Sequence, residues 1–243
     1  MENKISAGSY DLNKFLYGGY ETDIINTVYG PGGSGKSNFC MCVCVSQSKK
    51  GNKVLFIDTE ASFSIDRYKQ IHNGSSEEIK KDLKNVFIFK PTNFLEQEKI
   101  FEELNEKIKN TNFSLIIVDS IGMLYRIELA NAIQTKKTEE IQKVNQKLAK
   151  QLMLLNEIAR KKNICILVTN QVYSNFVQDL DKIEKSVNMV GGDLLKYWSK
   201  CLIELQFNFG KRKMILKKHR SIKEKEMIFE INNLGIKKKS TLF

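Results

Sequence analysis

Residues 30–37 read Gly-Pro-Gly-Gly-Ser-Gly-Lys-Ser and fill the pattern G-x-x-x-x-G-K-[ST]. The glycines allow the backbone to curl so that successive N–H groups point at phosphate oxygens. Lys36 adds a positive charge for β- and γ-phosphates, and Ser37 offers a hydroxyl to Mg²⁺. A β-prone run at 23–29 precedes the loop, and a run at 38–47 that can continue as a helix follows it. This context favours a phosphate-binding loop over a glycine-rich turn that matches the pattern by chance.

The length and composition of the chain predict a globular protein without membrane contact. Its 243 residues, 42% of them hydrophobic, suffice for a sizeable core. No apolar run approaches the roughly 20 residues that a membrane span needs. The first residues also lack the apolar centre of a signal peptide, so we expect a cytoplasmic protein.

Five cysteines without a secretory signal indicate reduced thiols. Three of them, Cys40, Cys42 and Cys44, alternate in a way that suggests a metal motif. On a helix, residues two apart point about 200° away from each other, so the three sulfurs do not converge on one ion. We therefore expect small buried side chains that pack this helix against a sheet.

The chain is strongly basic, with a net charge of +11 and a pI of about 9.3. This charge suits a polyanion such as nucleic acid. A lysine-rich composition with solvated side chains and no partner explains the charge equally well, so both interpretations stay open at this point.

Short apolar runs separated by helical patterns predict an α/β fold. The strand candidates lack polar alternation, as expected of central strands that are covered on both faces. These candidates are 54–58, 86–89, 115–119 and 164–169, and the helical candidates are 96–109 and 138–161. We expect a mainly parallel twisted sheet with helices on both faces.

The C-terminal part predicts antiparallel edge strands. The runs 201–207 and 212–218 flank Asn208-Phe209-Gly210, which is a hairpin signal, and 227–231 can add another strand. Lysines on these strands would also discourage edge-to-edge aggregation.

Three polar residues follow or end the predicted central strands. Asp119 ends an apolar strand, where a carboxylate can hold Mg²⁺ through water beside the loop, or can simply cap the strand. Glu60 lies just beyond the strand 54–58 and can orient and deprotonate a water molecule near a γ-phosphate. Gln171 follows the strand 164–169 and can contact that phosphate and report its loss, although a plain polar strand end fits its spacing as well.

Taken in order, these motifs resemble the RecA/RadA recombinase superfamily. The similar segments are 9–19, 57–60 with Phe63 and Arg67, 115–120, 169–172, and the glycine pair 191–192. The resemblance covers about residues 8–237, and several motifs in the right order are far more specific than the phosphate loop alone. It implies a RecA-like ATPase core with ATP and Mg²⁺ as cofactors.

The resemblance also implies roles for single residues. Glu60 corresponds to the catalytic base, and Arg67 and Gln70 correspond to residues that lie at the adenine. The predicted catalytic residues are Glu60, Lys36 and Gln171. The predicted nucleotide-binding residues are Gly30, Pro31, Gly32, Gly33, Ser34, Gly35, Lys36, Ser37, Asn38, Arg67 and Gln70. Magnesium is assigned to Ser37 and, through water, to Asp119.

We expect a single ATPase core over 1–243, in which 1–22 is a lead-in. Only 29 residues precede Gly30, too few for the helix-hairpin-helix domain of RadA-type recombinases. The resemblance therefore implies an accessory protein of DNA repair and recombination. Such a protein would hydrolyse ATP weakly, bind DNA, and assist or regulate the main recombinase of the RadA type. A strand-exchange recombinase with DNA-dependent ATPase activity and a KaiC-like signalling ATPase are the alternatives.

Other expected partners are single- and double-stranded DNA, a Holliday-junction resolvase and further copies of the chain, with a nucleoid location. In the superfamily, two loops after the strands of Asp119 and Gln171 face DNA. The first would span 125–137. The second would span 172–190, where Lys182 and Lys185 are offset by Asp179, Asp181 and Glu184. Its Tyr173 and Phe176 would either stack on bases or anchor the loop.

The strongest basic segment lies near the C-terminus. The predicted DNA contacts are Arg126, Lys136, Lys137, Lys211, Arg212, Lys213, Lys217, Lys218 and Arg220. Lys218 and Arg220 have two interpretations. They either reach the nucleotide of a neighbouring subunit in trans, as an arginine finger does, or form a solvated basic edge.

Overall fold

A computed structural model describes residues 3–174 and 187–239 of the chain. Its strands are β1 (Lys4–Ile5), β2 (Tyr20–Glu21), β3 (Ile25–Gly30), β4 (Lys53–Asp58), β5 (Val86–Phe89), β6 (Phe113–Asp119), β7 (Cys165–Ser174), β8 (Val187–Met189), β9 (Ser199–Asn208), β10 (Lys211–Lys218), β11 (Lys225–Asn232) and β12 (Gly235–Lys238). The main sheet has the order β12-β11-β10-β9-β3-β7-β6-β4-β5, and β8 pairs with β7. The strands from β9 to β5 in this order run parallel, whereas β10, β11 and β12 extend the sheet in antiparallel fashion.

The helices are α1 (Tyr10–Phe15), α2 (Lys36–Ser48), α3 (Ile65–His72), α4 (Ser76–Leu83), α5 (Phe94–Asn110), α6 (Met123–Gln134), α7 (Thr138–Lys162) and α8 (Gly192–Trp198). They cover both faces of the sheet. Phe39 of α2 packs in a cluster on one face, and Leu148 of α7 packs in a cluster on the other. None of the helices in the described ranges is long and apolar enough to cross a bilayer.

The central strands carry no polar alternation because both of their faces are covered. Along β4, Val54 and Phe56 point into the cluster of α2, while Leu55 and Ile57 point into the cluster of α7, and all four are fully buried. The prediction of a mainly parallel sheet with helices on both faces is therefore confirmed.

The predicted C-terminal hairpin is confirmed as well. Asn208 pairs with Lys211, which leaves Phe209 and Gly210 as a two-residue loop with φ angles of 48° and 75°. Two successive positive φ angles are typical of the tight turns that match strand twist. Through this hairpin, β10 lies beside β9 and brings its side chains near the phosphate loop at the end of β3.

One predicted loop is wrong. The segment 125–137, expected as the first of two loops, is mostly the helix α6. Tyr125 and Ala132 of this segment are buried against the rest of the fold. Their seven-residue spacing places both on one helix face, and the burial of that face holds the segment in a helix.

Candidate nucleotide-binding site

The phosphate loop connects the end of β3 to the start of α2. Gly33 and Gly35 have φ angles of 71° and 109°, a region that L-residues with side chains rarely adopt. A Cβ atom on Gly30 would lie 2.4 Å from the carbonyl oxygen of Leu205. The N-terminus of α2 has no side-chain cap within the described part of the chain. A phosphate oxygen is a suitable acceptor for its free N–H groups.

Lys36 lies inside the loop rather than in solvent. Its Nζ donates to the carbonyl oxygens of Gly30, at 2.9 Å, and Pro31, at 3.0 Å. Burial lowers the pKa of Lys36, while the nearby carboxylates of Glu60 and Asp119 act in the opposite direction. A phosphate group at the loop would replace carbonyl partners of Lys36 with a charged one, which gives a stronger hydrogen bond.

Glu60 lies two residues beyond the end of β4, and Gln171 lies within β7. Their side chains contact each other. Nε2 of Gln171 donates to both Glu60 carboxylate oxygens, at 3.1 and 3.0 Å, and the Ser120 hydroxyl donates to Oε1. The carboxyl ends of parallel strands meet at one edge of a sheet, which explains how residues 111 positions apart come together. The structure thus joins two of the three predicted catalytic side chains in one hydrogen-bonded pair.

Asp119 is almost completely buried at the end of β6. Its Oδ1 accepts a hydrogen bond from the Thr169 hydroxyl, and its Oδ2 accepts one from the Ser62 hydroxyl at 2.5 Å. Asp58 holds the same serine, because its Oδ1 accepts from the Ser62 amide at 2.8 Å. These bonds fix the orientation of the Asp119 carboxylate and engage both of its oxygens. An arrangement of this kind fits the predicted indirect contact with a metal through water.

The residues present fit a magnesium nucleotide. The hydroxyl of Ser37 and the carboxylate of Asp119 are oxygen donors, which Mg²⁺ prefers. The hydroxyl of Ser34 is buried and has no hydrogen-bond partner in the ranges 3–174 and 187–239. Uncapped amides, a buried lysine and oxygen donors at one end of the sheet are the groups that a triphosphate with its metal would need.

Arg67 and Gln70 lie on α3 beside the start of α2, as expected of residues near a base. The Arg67 guanidinium donates to Oδ1 of Asn38 at 2.8 Å and to Oε1 of Gln70 at 3.0 Å. It also donates to the carbonyl oxygens of Asn232, at 2.8 Å, and Asn233, at 3.3 Å, in the turn between β11 and β12. The structure brings these residues together, and their contact with adenine stays a prediction.

A cavity of about 250 Å³ joins the loop to the predicted catalytic residues. Its lining residues are Gly32, Gly33, Gly35, Lys36, Ser37, Asn38, Glu60, Gln171, Arg212 and Ile231. Arg212 was predicted among the DNA contacts on the basic edge. Its side chain instead lies on the face of β10 that points to the loop, and Nη2 donates to the Gly33 carbonyl oxygen at 3.3 Å. Sequence spacing does not reveal this placement, because it depends on the register between β9 and β10.

The Gln171 backbone is connected to the segment that follows β8. The amide of Val190 donates to the Gln171 carbonyl oxygen at 3.2 Å, and Nδ2 of Asn170 donates to the Val190 carbonyl oxygen at 2.7 Å. Gly191, with a φ of 62°, then caps the N-terminus of α8. A movement of Gln171 would therefore reach β8 and α8 directly.

The predicted DNA contacts on the first segment are exposed but lie on or just after a helix. Arg126 is on α6, and Lys136 and Lys137 follow its end. Nζ of Lys137 lies 3.6 Å from a Glu140 carboxylate oxygen. Within the second segment, Phe176, Asp179, Asp181, Lys182, Glu184 and Lys185 lie outside the described residues, and so does the side chain of Tyr173.

Several cations of the C-terminal strands have partners within the chain. Lys213 pairs with Glu226 at 3.1 Å, and Lys217 pairs with Glu224 at 2.5 Å. Lys211 is exposed, and no hydrogen bond or ion pair involves its side chain in the described part of the chain. Exposed pairs of this kind contribute little to stability and a polyanion can displace them. The basic edge is thus less positive than its lysine count suggests.

Lys218 and Arg220 are also engaged inside the chain. Nζ of Lys218 donates to the Lys196 carbonyl oxygen at 2.7 Å. The Arg220 guanidinium contacts both Asp23 oxygens, at 2.8 and 3.1 Å, and a Glu21 oxygen at 2.7 Å. Because its donors already serve two carboxylates, Arg220 would have to break these bonds to reach a neighbouring subunit.

Cys40, Cys42 and Cys44 are buried free thiols on α2, as expected from the sequence. Burial raises the pKa of Cys42 to about 11 and raises that of the other two as well. Among the described residues, no group of three or more His, Cys, Asp or Glu side chains is placed to hold a metal ion.

Sequence reasoning missed the residues that hold the site together. Thr59 accepts from the Ser120 amide at 2.8 Å and donates to the Ser120 carbonyl oxygen at 2.8 Å, which joins the ends of β4 and β6. Ser62 bridges Asp58 and Asp119 through its hydroxyl. A short run of small hydroxyl residues after the strand 54–58 is a weak signal, and it does not indicate which carboxylate each residue contacts.

The order of strands and the position of the glycine-rich loop define a RecA-like α/β protein. The family model described as Rad51 matches residues 3–239, and the chain belongs to this family. The sequence-based resemblance to the RecA/RadA superfamily is confirmed.

Its relatives include archaeal proteins called DNA repair and recombination protein RadB. The protein of Methanococcus maripaludis is 40% identical over 226 residues, which cover 93% of this chain and 96% of that protein. The protein of Methanobrevibacter smithii is 37% identical over 230 residues, covering 93% and 92%. The protein of Methanocaldococcus jannaschii is 38% identical over 225 residues, covering 93% and 98%.

Proposed function

We propose that this chain binds ATP with Mg²⁺, hydrolyses it weakly, and acts on DNA as an accessory protein of repair and recombination. One observation carries the proposal most directly. The glycine-rich loop, the buried Lys36 and the pair formed by Glu60 and Gln171 line a single cavity. The names of the RadB relatives supply the process in which such an ATPase would act.

Phosphate recognition would begin at the loop. The uncapped N–H groups at the start of α2 would bind phosphate oxygens, and Lys36 would exchange its carbonyl partners for them. Ser37 and Asp119 would hold the metal, which neutralises charge on the β- and γ-phosphates when bound. The fixed orientation of Asp119 would favour one position of that metal.

Hydrolysis would use Glu60 as the group that orients water and accepts its proton. In the structure, the carboxylate of Glu60 is occupied by the amide of Gln171 and the hydroxyl of Ser120. A γ-phosphate that attracts the Gln171 amide would free one carboxylate oxygen for water. Because this exchange breaks hydrogen bonds of Glu60, it lowers the fraction of the productive arrangement, and we expect slow turnover.

The same exchange would signal the nucleotide state. Gln171 is hydrogen-bonded through its carbonyl oxygen to Val190, which leads into α8. A shift of the Gln171 side chain toward phosphate would bias β8 and α8. We propose that exposed cations such as Arg126, Lys136 and Lys211 contribute to the DNA-binding surface, and that the main recombinase is the protein partner.

ATPase assays with and without single-stranded DNA test this proposal, together with DNA-binding titrations across a salt series. We expect slow turnover in the wild type, none in Lys36→Ala, and normal turnover in the control Lys50→Ala. Lys50 carries the same charge as Lys36, but it is exposed and lies just beyond the C-terminal end of α2. DNA affinity should fall steeply as salt rises, because phosphate contacts release counterions.

Two other outcomes would redirect the assignment. Strong DNA-stimulated turnover together with strand exchange would indicate a full recombinase. ATP binding without DNA binding at low salt would contradict the role in recombination and favour a signalling ATPase.

A further inference from the structure

Arg212 has an unusual position for a residue of a basic edge. On β10, Met214 on the same face as Arg212 is buried in the cluster that contains α2, whereas Lys213 lies on the opposite face and pairs with Glu226. Arg212 therefore points toward the phosphate loop, and its two neighbours in sequence do not. The cavity at the loop includes Arg212 among its lining residues.

The guanidinium of Arg212 is held on one side by an aromatic ring. Arg212 lies opposite Phe207 in the register of β9 and β10, and its Cζ atom lies 4.4 Å from the centroid of the Phe207 ring. Phe207 also lies beside Gly33, since a Cβ atom on that glycine would be 3.9 Å from the ring. Ring and loop thus fix the guanidinium at the rim of the phosphate-binding cavity.

The hydrogen-bonding capacity of this guanidinium is mostly unused. One donor reaches the Gly33 carbonyl oxygen at 3.3 Å, which is a long bond. The Nε atom is buried and has no hydrogen-bond partner within the described ranges. No carboxylate of the described residues lies within ion-pair distance of Arg212, in contrast to Lys213 and Arg220. An arginine placed in this way lacks an anion.

We propose that Arg212 is a nucleotide-contacting residue that binds the phosphates of ATP from within the same subunit. This inference rests on the proposed ATP binding and goes further, since it assigns to the nucleotide a cation outside the loop that would otherwise be counted with the DNA contacts. A guanidinium beside the loop backbone can donate two hydrogen bonds to phosphate oxygens, which a lysine cannot match. Affinity for ATP would then not depend on a neighbouring subunit.

Nucleotide titrations with a fluorescent ATP analogue and Mg²⁺ test the inference. We expect Arg212→Ala to weaken binding about 10- to 100-fold, the range for a lost charge-assisted hydrogen bond. Lys213→Ala is the matched control, because it removes the same charge from the other face of β10, and its affinity should stay within about twofold of the wild type.

Two further variants separate a charge contact from a merely structural one. Arg212→Gln keeps an amide donor on a shorter side chain but loses the charge, and Arg212→Lys keeps the charge. If Arg212 binds phosphate, the glutamine variant should bind ATP as weakly as the alanine variant, and the lysine variant should recover part of the affinity. If Arg212 only supports the loop, the glutamine variant should bind like the wild type, and the inference is wrong.

Mixing experiments test whether Arg212 contacts the nucleotide of its own subunit or that of a neighbouring subunit. Adding Lys36→Ala protein, which retains Arg212, should not restore nucleotide binding to Arg212→Ala if the contact is made within one subunit. Restoration would overturn that part of the inference. A wild type that binds no ATP would overturn both proposals, whereas a wild type and an Arg212→Ala variant that bind equally well would overturn this inference alone.

Discussion

Substitution of Asp119 separates its structural contacts from its proposed role at the metal. Its carboxylate is 1% exposed and accepts hydrogen bonds from the hydroxyls of Thr169 and Ser62. Asp119→Asn retains one oxygen for Thr169. Its new amide group would donate to the oxygen of Ser62, whose own hydrogen can turn to Asp58, 3.1 Å away. Both hydroxyls that bond Asp119 therefore keep a partner, and we expect a stability loss below about 1 kcal/mol.

Asp119→Ala has a different result because it removes the acceptor of Thr169. That residue is fully buried, and a buried hydroxyl without a partner costs about 1–3 kcal/mol. Ser62 can still donate to Asp58, so we add no second penalty of that size. In a chain of this length each kcal/mol lowers Tm by about 2–4 °C, and we expect a decrease of roughly 4–8 °C for a loss near 2 kcal/mol.

Thermal unfolding followed by circular dichroism, with and without ATP and Mg²⁺, measures both effects. The apo forms of the wild type and Asp119→Asn should unfold at nearly the same temperature. The wild type should gain stability with ATP and Mg²⁺, because a ligand that binds only the folded state raises Tm. Asp119→Asn should lose most of this gain.

Two results would contradict the reasoning. If apo Asp119→Asn is destabilised as much as apo Asp119→Ala, the rearrangement of hydroxyl donors does not occur. If Asp119→Asn keeps the full metal-dependent gain, Asp119 does not act on the metal. The loss of stability and the loss of the ligand effect are separate measurements, so each part is tested independently.

The remaining predictions concern the proposed base, the backbone, the thiols and the basic edge. Glu60→Gln should bind ATP normally and lower turnover about 10²- to 10⁴-fold in a phosphate-release assay, and normal turnover would show that Glu60 is not the base. Gly8→Ala should destabilise the fold by at least about 3 kcal/mol in guanidinium unfolding, since Gly8 has a φ of 89° and its Cβ atom would lie 2.0 Å from the Cys42 carbonyl oxygen. Burial raises the pKa of Cys42 from 9.0 to about 11, so the unfolded chain loses this proton first. The contribution of this group to the unfolding free energy should therefore be constant below pH 9 and should fall by about 1.4 kcal/mol per pH unit between pH 9 and 11, as measured by the difference between the wild type and Cys42→Ala in unfolding at several pH values. Arg220→Ala should cost about 1–3 kcal/mol, because it leaves the buried carboxylate of Glu21 without its nearest cation. Unchanged stability combined with a loss of ATP turnover would instead support a contact in trans.

Much of the fold could be predicted from local patterns. Apolar runs without alternation marked β4, β6 and β7, and the Asn208-Phe209-Gly210 signal marked the hairpin between β9 and β10. These features are local, because strand burial and turn geometry depend on neighbouring residues. The short helices α3 and α4, each of eight residues, were not predicted.

The segment 125–137 was predicted as a loop, and this prediction failed. In the superfamily a loop that faces DNA follows the strand of Asp119, and the resemblance placed that loop at 125–137. The helix α6 forms there because Tyr125 and Ala132 can be buried against other elements of the fold. This burial is a property of the tertiary structure, and the sequence of the segment alone does not reveal it.

The candidate site divides in the same way. The sequence by itself determined the phosphate loop and the carboxylate and amide residues at strand ends, because glycine conformation and strand position are encoded within a few residues. Only the tertiary structure decided that Glu60 contacts Gln171 and that Asp119 is held by two hydroxyls. Strand order and register bring these distant residues together. The register between β9 and β10 also places the Arg212 side chain at the phosphate loop rather than on the basic edge.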